Sequence, residues 1–206
     1  MIECFFDCSS PWTWLAYRNL RAMAAELDVA VHWKPVLVGG IFNAVNPSVY
    51  ASREKGVPAK QAYLRKDLQD WAQRDGVKIL FPPSVFPVNS VKAMRACCWL
   101  NGLGGPQHRL EDFAEAVFKT YWSDDRDISQ DAVLAEIATE SGLDAAALLA
   151  GMVLPAVKAQ LKANTDEAIK RGAFGSPTIF VGGGDMYFGN DRLPLVRDAV
   201  LRERAT

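Results

Sequence analysis

Ser10 stands where a polar break, Asp7 to Ser10, joins an apolar run, Ile2 to Phe6, to a helix-like pattern that begins at Pro11. Proline is favoured at the first helical position because its missing N–H would be unpaired there anyway, and serine is favoured as the cap just before it. A strand that feeds a helix through such a turn gathers free backbone N–H groups and the positive end of the helix dipole at one spot. Such a spot binds an anion or stabilises a thiolate. The same residue types also serve a plain helix cap, and the turn taken alone leaves both roles open.

The other reactive side chains are few. The four cysteines are Cys4, Cys8, Cys97 and Cys98, none of them in a CxxC pair, and the two histidines, His32 and His108, have no metal-ligand spacing around them. Buried small hydrophobes is the ordinary reading for such cysteines. Cys8 is the exception, because it lies in the same turn as Ser10 and has a second reading as a reactive thiol.

Composition narrows the classes. Half of the 206 residues are hydrophobic, enough for a sizeable core in one or two domains. Lys plus Arg at 23 against Asp plus Glu at 24 leaves a net charge of -1, so no global field favours nucleic acid or an anionic membrane. Glu3 and Asp7 interrupt the N-terminal apolar run and argue against a secretory signal, and the longest apolar run, Ala145 to Val157, contains Gly151 and Pro155 and is too short to span a bilayer. A cytoplasmic location is expected.

The elements that must position Ser10 follow from periodicity. Ile2 to Phe6 reads as a mostly buried strand, Pro11 to about Leu27 as a helix ended by Asp28, and Val29 to Val36 as a second strand with Pro35 near its exit, a strand–helix–strand beginning. From Gly39 to about Pro58 the glycines, asparagines and prolines predict a long irregular loop. Lys60 to Arg74 is an amphipathic helix with Tyr63, Leu64, Leu68, Trp71 and Ala72 on its apolar side, and Phe81 to Ser90 is a second irregular stretch, rich in proline and aromatics. Helices are expected over Val91–Leu100, Arg109–Tyr121, Ile128–Ser141, Asp144–Ala150 and Leu154–Arg171. Thr178–Val181 and Met186–Phe188 then form a hairpin around Gly182–Gly184, and Arg192–Arg202 closes the chain as a helix. The sum is an α/β protein, β-α-β, a helical insertion, then α-β-β-α.

Five segments taken in order, FDCSSPWTWLA, KPVLVGGIF, YLRKDLQDWA, FPVNSVKAMRA and FGSPTIFVGGGDMYFGNDRL, resemble the kappa-class glutathione transferases and the bacterial 2-hydroxychromene-2-carboxylate isomerases. The resemblance covers nearly the whole chain. It implies a DsbA-like thioredoxin fold (βαβ…αββα) with an all-helical insertion, residues 1–45 and 153–206 forming the thioredoxin-like domain and 46–152 the inserted helical one. It also implies glutathione as cofactor, a homodimer, and a role in aromatic hydrocarbon catabolism: reversible addition of the glutathione thiolate to a ring-opened 2-hydroxychromene-2-carboxylate, bond rotation, and elimination to trans-o-hydroxybenzylidenepyruvate.

In that family Ser10 takes the place of the first cysteine of a redox CxxC and donates a hydrogen bond to the bound thiolate, within Ser10-Pro11-Trp12-Thr13. Ser176-Pro177 resembles the cis-proline loop of thioredoxin folds, where the backbone before the proline pairs with the extended tripeptide. Asn190 and Asp191 resemble the residues that take the γ-glutamyl end, and Asn46 and Lys60 match positions that reach glutathione from the loop and the helix after it. For the small aromatic carboxylate, Trp12, Phe81, Phe86 and Trp122 are the candidate wall, with Lys34 or Arg192 as the candidate cation. Two rivals remain beside the isomerase: a kappa-type transferase or peroxidase that consumes glutathione, and a non-catalytic redox or binding protein that relies on Cys8.

Overall fold

The strand that carries the Ser10 turn, β1 (Ile2–Phe6), is buried on both sides because every apolar residue in it has a partner layer. The computed structural model describes residues 1–102 and 108–205, the side chains at 52–54 and 108 excepted. β1 lies inside a four-stranded sheet of order β2-β1-β3-β4. It runs parallel to β2 (Val31–Pro35), with Ile2 opposite Val31, and antiparallel to β3 (Thr178–Val181), with Ile2 opposite Val181. β4 (Asp185–Phe188) returns antiparallel to β3 across a turn in which Gly182 and Gly183 both take positive φ, 60° and 80°, a conformation that favours glycine. Pro35 ends β2 on the sheet edge, where its missing N–H breaks no ladder.

Side-chain alternation along these strands makes two clusters. Ile2, Cys4, Phe6, Val31, Trp33, Ile179 and Val181 face one way and join α1 (Pro11–Leu27), α5 (Val91–Gly102) and α6 (His108–Trp122) in the larger core. Phe5 and Phe180 face the other way and meet Ile41, Ala168 and Ala173, the last two from α9 (Pro155–Lys170) and the turn that follows it. The larger cluster also takes in Leu134, Ile137 and Leu148 from α7 (Asp131–Glu140) and α8 (Ala145–Gly151), so the segment between the two halves of the sheet packs onto the sheet's own core. Chain and sheet together make the mixed α/β, thioredoxin-like arrangement. Among the described residues no single helix is long and apolar enough to cross a membrane.

Two expectations fail. The stretch from Gly39 to Pro58 is not a loop but carries α2 (Val38–Val45) and α3 (Ser48–Glu54). Val38, Ile41, Phe42 and Val45 recur at helical spacing, and Ile41 is buried against the second cluster, which outweighs the weak helix propensity of two glycines. Gly40 also allows a close approach, since a Cβ there would stand 3.3 Å from Thr165 of α9. In α4 (Pro58–Arg74) only Leu68 and Ala72 are buried, while Tyr63 and Leu64 are 63% and 54% exposed. The first ten residues of that helix, Lys60 among them, stand off the core, and its apolar side does work only in the second half. The 81–90 stretch is irregular as expected, and α10 (Leu193–Arg204) follows a short 3-10 turn at Asn190–Arg192.

Candidate functional site

Ser10 caps α1. With φ -115° and ψ 123° it is extended, and its Oγ accepts the N–H of Thr13 at 3.2 Å, which satisfies one of the unpaired donors of the first turn. The same hydroxyl donates to the carbonyl of Ser176 at 3.4 Å. Ser176 precedes Pro177 through a cis peptide bond. The Ser176 side chain turns inward, accepting the Asp7 N–H at 3.1 Å and meeting Thr13 Oγ1 at 2.9 Å, so the cis-proline loop is tied to the turn before α1 from both sides. Ser10 and Ser176 are thus neighbours although 166 residues separate them.

Both line a cavity of about 640 Å³. Its walls come from the start of α1 (Trp12), from α2 and α3 (Phe42, Tyr50), from the 81–90 stretch (Phe81, Phe86) and from Phe174 and Phe188 beside the cis-proline loop. Phe81 and Phe86 meet edge to face with centroids 5.3 Å apart, and Phe174 and Phe188 lie 4.4 Å apart. Gly175 is needed here, because a Cβ would stand 2.9 Å from the Phe188 ring. Asn46 lines the cavity too, half-buried, with its Nδ2 donating to the Phe174 carbonyl at 3.1 Å and its Oδ1 accepting from Ser48 at 2.9 Å. None of the described lining residues is Lys, Arg or His.

Ser10, Pro11, Trp12, Asn46, Phe81, Phe86 and Ser176 are therefore brought together around one cavity, with Pro177 adjoining it. The remaining candidates are elsewhere. Trp122 is fully buried, donating its indole N–H to the Cys8 carbonyl at 2.9 Å and stacking beneath Phe81, so it supports the wall without forming it. Lys34 lies on the opposite side of β1, 5.1 Å over the Phe5 ring and 2.7 Å from both Glu3 and Glu167, because its position in β2 points it at the second cluster. Arg192 is half-exposed and paired with Asp191 at 2.6 Å, outside the cavity lining. Lys60 is exposed and does not line the cavity. Asn190 is only 4% exposed and sits against the middle of α1, its Oδ1 accepting from Asn19 at 2.9 Å, while its Nδ2 has no partner.

Cys8 is not placed to react. It is fully buried, and burial pushes its thiol well above the ordinary range, with Cys97 adding to the shift. Its backbone N–H points to the Met94 sulfur at 3.4 Å.

Sequence reasoning missed Asp7, Thr13 and Ser90, three polar residues that are 1%, 0% and 6% exposed behind the turn. The only signal for Asp7 was an acid lodged at the end of a buried strand. Asp7 Oδ1 accepts the Ser9 N–H at 2.9 Å and Oδ2 the Val38 N–H at 2.8 Å. Burial pushes its carboxyl upward, against the pull of these bonds.

Comparison with known proteins gives the family and the fold. The chain is 27% identical to a 2-hydroxychromene-2-carboxylate isomerase of Pseudomonas putida, over 98% of this chain and 95% of that protein. It is 29% identical to glutathione S-transferase kappa 1 of Homo sapiens, over 95% and 88% respectively. Among solved structures it is similar to a 2-hydroxychromene-2-carboxylate isomerase with a TM-score of 0.81 at 24% identity, covering 98% of this chain and 94% of the other. A model of the DSBA-like thioredoxin domain matches residues 1–201, and the chain belongs to that family.

Proposed function

We propose that the chain binds glutathione with its thiol at the start of α1 and acts as a glutathione-dependent isomerase on a 2-hydroxychromene-2-carboxylate-like aromatic compound. The observation that carries this reading is the Ser10 hydroxyl, held at a helix start beside the cis-proline loop and opening onto an aromatic-walled cavity. Relatives named as 2-hydroxychromene-2-carboxylate isomerases and kappa glutathione transferases support it.

The residues present fit the tripeptide. Ser10 and Ser176 line the cavity side by side, and Ser10 has a donor proton spent only on a long bond to Ser176, free to turn to a bound anion. When bound, glutathione supplies a thiolate able to add reversibly to a conjugated double bond. Ser10 holds the sulfur by turning its proton from the Ser176 carbonyl to the anion, a charge-assisted bond that strengthens at a helix N-terminus. Ser176 offers main-chain groups to the peptide, and Asn46 a side-chain amide. Asn190 takes the γ-glutamyl carboxylate and Asp191 the ammonium, after an exchange of its exposed pair with Arg192 that costs little. Trp12, Phe81 and Phe86 set an apolar, aromatic wall against the substrate and exclude water from the reacting carbon.

Titration calorimetry with glutathione, followed on the same sample by ultraviolet difference spectra, tests the reading. Binding with a thiolate band at neutral pH is expected. No binding at millimolar glutathione would overturn it.

A second reading, a kappa-type transferase that consumes glutathione, is favoured by one observation: a substrate carboxylate meets no basic side chain among the described lining residues. Product analysis separates the two. The isomerase returns glutathione unchanged, and the transferase accumulates a conjugate with a neutral electrophile.

A further inference from the structure

We propose that Asp7 is a positioning residue for the thiol chemistry at Ser10, its carboxylate fastening the starts of α1, α2 and α5 together so that Ser10 faces the cavity; the inference rests on the glutathione reading above. Asp7 is 1% exposed, yet its carboxylate bonds to two separate segments, the turn before α1 and the start of α2. Oδ1 accepts from Ser9 N–H and Oδ2 from the N–H of Val38, the first residue of α2. The hydroxyls of Ser9 and Ser90 face it as well and draw its carboxyl down against the effect of burial. Ser90 immediately precedes α5, and its carbonyl accepts the Met94 N–H of that helix's first turn at 2.9 Å. Through its main chain Asp7 donates to Ser176 Oγ and accepts the Ser10 N–H at 3.3 Å.

These partners are N–H and O–H donors, not cations. A carboxylate that only accepts is matched to its ionised form, and here the positive ends of three helices surround it. Without it those ends repel one another, and the part-buried N–H groups of Ser9 and Val38 lose their acceptor. The turn that aims Ser10 is built from the same bonds, so its geometry depends on Asp7 although the Asp7 side chain makes no bond to the Ser10 hydroxyl. The titratable groups that bear on this turn are Cys8 beside Asp7, Cys97 from α5 and Glu115 from α6; Val38 and Ser176, which reach it from α2 and the cis-proline loop, do not titrate.

Two effects of opposite sign make the idea testable. Removing a negative charge near the sulfur lowers the pKa of a bound thiol, whereas losing the aim of Ser10 and the helix ends raises it. Asp7→Asn keeps one acceptor oxygen without charge, and Asp7→Ala keeps neither. The experiment is a pH titration of the thiolate band of bound glutathione in the full chain, with circular dichroism as the check on folding. The expected order of thiol pKa is wild type, then Asn, then Ala, with the thiolate fraction at neutral pH falling roughly tenfold in the alanine variant. An unchanged or lowered pKa in a folded Asp7→Asn protein would overturn the proposal. Should Asp7→Ala not fold, Ser90→Ala removes one donor and leaves the carboxylate; a smaller rise is expected there, and no rise overturns the idea. A wild-type protein with no thiolate band sinks the glutathione reading and the proposal with it, while a wild-type band that Asp7→Asn leaves unmoved sinks only the proposal.

Discussion

Of the polar turns that lead into helices in this chain, Asp7–Ser10 before α1 and Gly189–Arg192 before α10 are finished in opposite ways. In the first, the Asp7 carboxylate, the Ser10 hydroxyl and the Ser176 hydroxyl all bond within the protein. In the second, Asn190 is nearly buried with an unpartnered Nδ2, and Asp191 lies at the surface in an exposed ion pair with Arg192. A closed network holds a donor in place before any ligand arrives, which is how electrostatic stabilisation avoids a reorganisation cost. An open one carries an unmet donor, at roughly 1–3 kcal/mol, that a bound acceptor would relieve. The first turn is suited to steering chemistry and the second to holding a substituent.

The sharpest way to break that comparison is Ser10→Ala. Loss of a hydrogen bond to a charged group is worth about 1.5–3 kcal/mol, so the thiolate fraction of bound glutathione and the turnover that depends on it should fall roughly ten- to a hundredfold. The lost cap should also cost about 1 kcal/mol of stability, a drop of roughly 2–4 °C in the melting temperature. An alanine variant with full activity and an unshifted thiol would leave Ser10 as a cap and nothing more.

Asn190→Ala probes the other turn and should reverse the balance. The variant loses the bond from Asn19 but also removes the unmet donor, so stability should change by less than about 1 kcal/mol. Glutathione affinity, measured by calorimetry, should weaken roughly tenfold with the thiol pKa unmoved. If affinity holds, the second turn is only the entrance to α10.

How far these features could be read in advance depended on range. The Ser10 cap and the helix from Pro11 rest on neighbours three residues apart, and both were legible. So were the hairpin glycines and the order of strands and helices along the chain, β-α-β and then α-β-β-α, whereas the pairing of β1 with β3 joins segments far apart in sequence and was not legible. The α2 and α3 helices were hidden because Gly39, Gly40, Asn46 and Pro47 signal a loop, while the burial of Ile41 that decides for helix is a tertiary fact. Trp122 and Phe81 look alike as aromatics, and only packing puts one beneath the other. Lys34 was a free cation in the sequence and is a bonded one in the fold, since Glu167 reaches it from 133 residues away. Asp7 was missed for the same reason: Val38 and Ser90, which give it a role, are distant in the chain.

Lys34 also supplies the smallest and most discriminating test, because it sits on the face of the sheet away from both turns. Glu3, Lys34, Glu167 and Arg171 form one ion network there, with the Arg171 guanidinium 3.7 Å over the Phe180 ring. Burial pushes Glu3 upward, but the bonds from Arg171 and Lys34 outweigh it and hold its carboxyl below the ordinary value. Burial likewise pushes Lys34 down, and the two carboxylates outweigh that and hold it above. A depressed acid contributes stability above its unfolded pKa and loses it as pH falls through the folded one; a raised lysine loses its share only as pH rises through its folded value. The network therefore acts across the neutral range and fails in acid, below about pH 4. Because these side chains keep 12 to 37% exposure, Lys34→Met should cost only about 1 kcal/mol at pH 7, and the gap from wild type in chemical denaturation should close on acidification. Glutathione binding should be untouched. A loss of binding would mean that the two faces of the sheet are coupled, and that the closed turn at Ser10 is held from behind β1 as well as from the cavity side.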